Sequence, residues 1–144
     1  MKKAPPIKTA LVTGAAEGIG QATAWAMAGA GHDVIVTDLE TGSLAQTISG
    51  IEAKGRRALG LPLDLREEAS ITAVLEKAAQ MCGPIGLLVN NAGCTLNKPA
   101  IDVGWSEWDQ VMDVNLKGSY FLTTRFAARC IECDDITLHH SLNF

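Results

Sequence analysis

Three glycines near the amino terminus have the type and spacing to hold a phosphate. Gly14, Gly18 and Gly20 stand in Thr13-Gly-Ala-Ala-Glu-Gly-Ile-Gly20, a G-x-x-x-G-x-G pattern that follows the apolar run Ala10-Leu11-Val12. A strand, a glycine-rich turn and a helix start together make an anion site. The helix N-terminus presents unpaired N–H groups and a positive dipole end, and glycine lets a pyrophosphate approach the backbone. The pattern is neither G-x-G-x-x-G nor the lysine-bearing G-x-x-x-x-G-K-[ST] loop. Taken alone, it also fits a plain strand-to-helix turn. Asp38 stands 18 residues beyond Gly20, at the end of a second apolar run. An acid there accepts hydrogen bonds from the ribose hydroxyls of adenosine and repels a 2′-phosphate, which favours NAD over NADP. Ala15, Ala16 and Glu17 place no cation in the loop, and Leu39-Glu40 adds acid rather than base. A solvated strand-end aspartate is the alternative.

Further along the chain, Asp64-Leu65 puts a carboxylate where it could meet the adenine amino group, or equally cap the helix beginning near Glu67. Asn90-Asn91-Ala92-Gly93 suits a loop where backbone and amide groups meet a ligand, and suits an ordinary turn as well. Cys130 and Cys133 form C-x-x-C with His139 and His140 nearby. The four cysteines are too few for a disulfide scaffold of this size, and the spacing lacks the paired framework of a structural zinc site. Ordinary cysteines and no metal are expected.

The elements that must position these residues alternate. After the first strand, residues 19 to about 30 read as a small-residue helix with Ala22, Ala26 and Ala30 on the line that lies against a sheet. Asp33 to Asp38 is a second strand, continuous rather than alternating in its apolar residues, as a parallel strand covered on both faces requires. Leu44, Ile48 and Ile51 mark an amphipathic helix ending near Gly55, and Ala58 to Leu63 is a third strand. Ile71, Val74, Leu75, Ala78 and Cys82 share one face of the next helix, which Gly83-Pro84 stops, and Ile85 to Val89 is a fourth strand. Ser106 with Asp109 reads as a capping signal opening a long helix, whose stripe runs Trp108, Val111, Met112, Leu122 and Phe126. Asn115 falls on that stripe, where a satisfied buried amide is the simple reading, and Lys117 falls on a solvated face.

The glycine loop, Asp38, Asp64-Leu65, Asn90-Asn91-Ala92-Gly93 and Asn115, in that order, resemble the short-chain dehydrogenase/reductase family in its compact Rossmann form. The resemblance runs from about Lys8 to about Ala128. It implies an α/β fold, a doubly wound parallel sheet represented by its N-terminal portion, with about four strands in the order 3-2-1-4. It implies that Gly14, Glu17, Gly18, Ile19, Gly20, Asp38, Leu39, Asp64, Leu65, Asn91, Ala92 and Gly93 line a dinucleotide. It implies that Asn115 supports the catalytic water and lysine of a proton relay acting on a small carbonyl or alcohol substrate. The family's catalytic serine and Tyr-x-x-x-Lys pair have no counterpart here. Tyr120, the only tyrosine, is followed four residues later by Thr124 and is read as a packing residue. Ser141 lacks the strand-end neighbours of the family serine. Residues 1–129 are expected to form an incomplete dinucleotide-binding domain, and residues 130–144 a divergent tail of a truncated or frame-shifted product. An open edge on the fourth strand is expected to promote self-association.

Composition bounds these readings. The 144 residues are 47% apolar and 19% charged, enough for one globular domain. A net charge of −4 offers no basic field for nucleic acid, and no apolar run approaches membrane-spanning length. Met1-Lys2-Lys3 is followed by Ala4-Pro5-Pro6 and an early Glu17 rather than a signal-peptide core, so a cytoplasmic protein is expected.

Overall fold

Thr9–Thr13 (β1) is buried along its entire length, because strands pair with it on both sides and helices cover both faces. In the computed structural model, which describes residues 9–132, β1 pairs with β2 (Asp33–Asp38) and with β4 (Leu87–Val89), and β3 (Ala58–Pro62) lies beyond β2. The order is 3-2-1-4 and every pairing is parallel, as expected. Alternating side chains send Leu11, Ile35 and Leu88 to one face and Val12, Val34 and Val36 to the other. The first face is covered by Ile71, Val74, Leu75 and Ala78 of α3 (Glu68–Cys82) and by Leu122 and Phe126 of α5 (Ser119–Glu132). The second is covered by Ala24 and Ala28 of α1 (Gly18–Gly29), by Ile51 of α2 (Ala45–Glu52) and by Leu44 just before it.

Four local expectations are corrected. The line of α1 against the sheet is Gly20, Ala24 and Ala28, whereas Ala22, Ala26 and Ala30 are exposed. Both lines consist of small residues, so periodicity could not choose the phase. Contact at Gly20 chooses it, since a Cβ there would collide with Gly14 O. The fourth strand starts at Leu87 rather than Ile85: Gly83 has φ +74, Pro84 has no N–H, and pairing resumes with Gly86 N–H donating to Thr9 O at 3.1 Å. The third strand ends at Pro62 rather than Leu63. The long helix is capped at Gly104, whose N–H donates to Glu107 Oε2 at 2.8 Å, so Ser106 and Asp109 lie inside α4 (Trp105–Met112).

The long helix is also interrupted. A wide π turn at Asp113–Gly118 separates α4 from α5. The extra residue it accommodates rotates the two parts relative to one another, so the expected single stripe does not exist. Leu122 and Phe126 are buried, while Trp108 and Asn115 are exposed. No helix among the described residues is long and apolar enough to cross a membrane.

At the edge where β2 begins, Asp33 accepts from Arg57 N–H at 3.1 Å and Arg57 Nε at 2.8 Å, and pairs with Arg56 Nη2 at 2.7 Å. Burial pushes its carboxyl upward, but these hydrogen bonds and the two positive charges outweigh burial and hold it below the ordinary range.

Candidate functional site

Parallel strands bring their C-terminal ends to one edge, so Thr13, Asp38 and Asn90 arrive together although the sequence separates them widely. Ligands of open α/β sheets bind at that edge. Thr13 is the junction. Its Oγ1, fully buried, accepts from Asn91 N–H and Ala92 N–H at 3.0 Å each and lies 3.4 Å from Val89 O. Asn91 returns the connection, its Nδ2 donating to Thr13 O at 3.0 Å and Gly14 O at 2.9 Å. Ala92 closes the contact, since a Cβ on Gly14 would stand 2.7 Å from its Cα. The glycine turn and the Asn-Asn-Ala-Gly loop are thus tied together by four hydrogen bonds and a close backbone approach.

Gly14 and Gly18 have φ of +61 and +58, a region that side-chain-bearing residues avoid. At Gly18 a Cβ would project into open space, so the backbone at the start of α1 is uncovered. Glu17, the residue before that turn, is extended and its carboxylate makes no capping bond. Ile19, in the first turn of α1, and Leu39, directly after β2, are large apolar side chains left 74% and 61% exposed. Asp38 Oδ2 accepts from Ala16 N–H at 3.1 Å and Oδ1 from Leu39 N–H at 2.9 Å, which fixes the carboxylate beside the glycine turn. This arrangement fits a dinucleotide: glycine backbone for the pyrophosphate, a carboxylate for ribose hydroxyls, and apolar surface for flat rings.

Asp64 neither caps the next helix nor stands free. Glu67 is the residue before α3, and Asp64 instead accepts from Arg66 N–H at 3.0 Å, Nε at 2.9 Å and Nη2 at 2.6 Å. The Arg66 hydrogen bond holds its carboxyl below the usual range. The Leu65 side chain belongs to the core, and its carbonyl lies against Gly118. Asn115 is on the surface, not on a buried stripe. Its Oδ1 accepts from Cys94 N–H and its Nδ2 donates to Cys94 O, both at 2.8 Å, which ties the π turn to the residue after Gly93. Where a Cβ would stand on Gly93, Asn115 Oδ1 lies 3.3 Å away, so the loop passes close over the amide. Lys117 is solvated, as expected, and also pairs with Asp113.

Tyr120 is exposed rather than packed into the interior, meeting the Phe121 ring edge-on at 5.3 Å. Cys130 is buried in α5 with Sγ 3.7 Å from Ile85 O. Cys133, His139, His140 and Ser141 lie outside the described residues. Among the described residues no group of His, Cys, Asp and Glu could hold a metal.

Two residues of this edge escaped the sequence reading. Thr13 ends an apolar strand, and Thr47 interrupts the Leu44–Ile51 stripe of α2. A hydroxyl on an apolar stripe is the signal that could have found both, because buried polar groups require partners.

The chain matches the short chain dehydrogenase family over residues 8–134. It is 37% identical over 124 residues to 2-dehydro-3-deoxy-D-gluconate 5-dehydrogenase of Escherichia coli, covering 86% of this chain and 48% of that protein. Among solved structures, a metagenomic short-chain oxidoreductase in complex with NADP superposes with a TM-score of 0.82 at 33% identity, covering 88% of this chain and 57% of the other. A short-chain type dehydrogenase/reductase from Mycobacterium marinum gives a TM-score of 0.82 at 31% identity, with 88% and 51% covered. The chain spans about half the length of these relatives.

Proposed function

Because the chain belongs to the short-chain dehydrogenase family, we propose that residues 1–129 are the dinucleotide-binding unit of an NAD-dependent oxidoreductase that interconverts alcohols and ketones. The observation that carries this reading is the meeting of Asp38 Oδ2 with Ala16 N–H at 3.1 Å and of Asn91 Nδ2 with Gly14 O at 2.9 Å. Together they hold an anion cradle beside a ribose-reading carboxylate. When bound, the dinucleotide supplies a hydride donor or acceptor. The chain's own residues bind and orient it. Gly14, Glu17, Gly18, Ile19 and Gly20 surround the pyrophosphate, and Asp38 and Leu39 take the adenosine ribose. Asp64 and Leu65 border the adenine, and Asn91, Ala92 and Gly93 lie along the remainder. Asn115 contributes the amide that holds Cys94 and the loop above it.

A second reading is favoured by one observation. The 144 residues hold a single tyrosine, Tyr120, with Thr124 rather than lysine four positions on, and Tyr120 points to solvent. General acid/base transfer needs a group within hydrogen-bond reach of the substrate oxygen. On this second reading we infer that these 144 residues by themselves act as a nucleotide-binding unit, and we propose further that they are cytoplasmic and self-associate through the open side of β4. Titration with NAD and with NADP tests the first reading: saturable binding that favours NAD supports it, and equal affinities refute the role of Asp38. Reduction of a carbonyl panel with NADH tests the second, and saturable turnover by the isolated chain would overturn it.

A further inference from the structure

One fully buried hydroxyl joins two helices to the back of the glycine turn. Thr47 Oγ1, on α2, donates to Ala15 O at 2.7 Å and accepts from Gln21 Nε2, on α1, at 3.0 Å. The same oxygen lies 3.4 Å from Ala16 O, and Gln21 Nε2 gives its other hydrogen to Ala16 O at 3.2 Å. The backbone of Thr47 is engaged too, its carbonyl accepting from Trp25 Nε1 at 3.1 Å while the indole lies where a Cβ on Gly50 would stand.

Peptide planarity gives this cluster a reach beyond packing. Ala15 C=O and Ala16 N–H belong to one trans peptide unit and point in opposite directions. Thr47 holds the carbonyl end, and Asp38 Oδ2 accepts from the amide end at 3.1 Å. A rotation of that unit would break both bonds together. Ala15 N–H, donated to Thr37 O at 3.0 Å, secures the preceding unit to β2 and leaves this one as the adjustable link.

We propose that Thr47 is a positioning residue for dinucleotide recognition: by holding Ala15 O it orients the Ala15–Ala16 peptide that fixes Asp38, and so sets discrimination at the ribose 2′ position. Thr47 itself touches no ligand. The inference rests on the dinucleotide reading above and adds to it a residue on a helix behind the site.

The test compares Thr47→Val, which keeps the shape and loses the hydroxyl, with Thr47→Ser, which keeps the hydroxyl. Loss of one net hydrogen bond predicts that Thr47→Val weakens NAD binding about tenfold and narrows the NAD-to-NADP affinity ratio. Thr47→Ser is expected to restore both. Gly50→Ala displaces Trp25 and loosens the two helices without removing the hydroxyl, so it lowers the thermal midpoint with the ratio unchanged. Hydrogen exchange of the unliganded chain supplies a second readout: Thr47→Val accelerates exchange at Ala16 N–H about tenfold while Val12 and Ile35 stay protected. Should Thr47→Val fail to fold, Gln21→Met removes the neighbouring donor from a partly exposed position and is expected to move both readouts in the same direction. An unchanged ratio in Thr47→Val, no recovery in Thr47→Ser, or equal narrowing in Gly50→Ala would each overturn the proposal. If the unmodified chain binds neither dinucleotide, the reading of the site falls, and exchange at Ala16 still decides whether Thr47 holds the peptide.

Discussion

Asp38 has each carboxylate oxygen on a backbone amide, one from the glycine turn and one from its own successor. Its position is therefore set by the turn rather than by a free rotamer, and a 2′-phosphate would have to displace a fixed charge. Asp38→Ala is expected to shrink the proposed preference for NAD by about tenfold, in the range of a hydrogen bond to a charged group, and Leu39→Arg in that background to shrink it further. Paired titrations with both dinucleotides check this. Thr13 bears on stability instead. Thr13→Val leaves Asn91 N–H and Ala92 N–H without their acceptor, and a loss of about 2–3 kcal/mol is expected in urea unfolding. A loss under 0.5 kcal/mol would mean that the loop re-pairs elsewhere.

At the scale of elements, α3 and β2 were readable because their patterns favour one solution. Ile71, Val74, Leu75 and Ala78 select a single helix face, and the short β-branched run Val34-Ile35-Val36 favours a strand covered on both sides. The phase of α1 was not readable, since alanines occupy both candidate lines and contact at Gly20 decides. Neither was the π turn, because its cause is tertiary: Gly118 packs on the Leu65 carbonyl while Asn115 reaches across to Cys94. Gly118→Ala is expected to destabilise the fold by more than 1 kcal/mol, as overpacking against backbone does, and thermal unfolding checks it. The Asp33 cluster gives a pH signature. A carboxyl held below its ordinary range binds fewer protons in the folded chain than in the unfolded one. Its contribution is complete at neutral pH and is lost as pH falls from about 4 through the depressed value. Asp33→Asn is expected to lower stability at pH 7 by about 1–2 kcal/mol, moderated by the exposure of Arg57, and to flatten the acid limb of the stability profile.

For the whole molecule, the telling asymmetry is between the two sides of β1. Toward β2 and β3 the sheet continues, whereas toward β4 it stops after three residues, and nothing among the described residues pairs with the outer side of β4. Trp105, Trp108, Leu116 and Tyr120 add exposed apolar surface on α4, the π turn and α5. A bare parallel edge and exposed apolar side chains each favour association, so the isolated chain is expected to form dimers or larger assemblies in light scattering. Replacing Leu87 with lysine is expected to reduce them. A monodisperse monomer with cooperative unfolding would contradict this expectation.

The lock between Thr13 and Asn91 also has a kinetic meaning. Thr9 meets Asp33 across 24 residues of chain, but Ala10 meets Leu87 only across 77. Closing the longer loop carries about 1 kcal/mol more entropic cost if the intervening chain is still loose. The β1–β2 pairing thus has a head start, and β4 joins a sheet already begun. Asn91 Nδ2 can reach Gly14 O only with β4 in place, so the glycine turn is expected to acquire this brace after β1 and β2 have paired. On the proposed dinucleotide reading, nucleotide affinity should appear in refolding experiments after the helical signal, in step with the burial of β4.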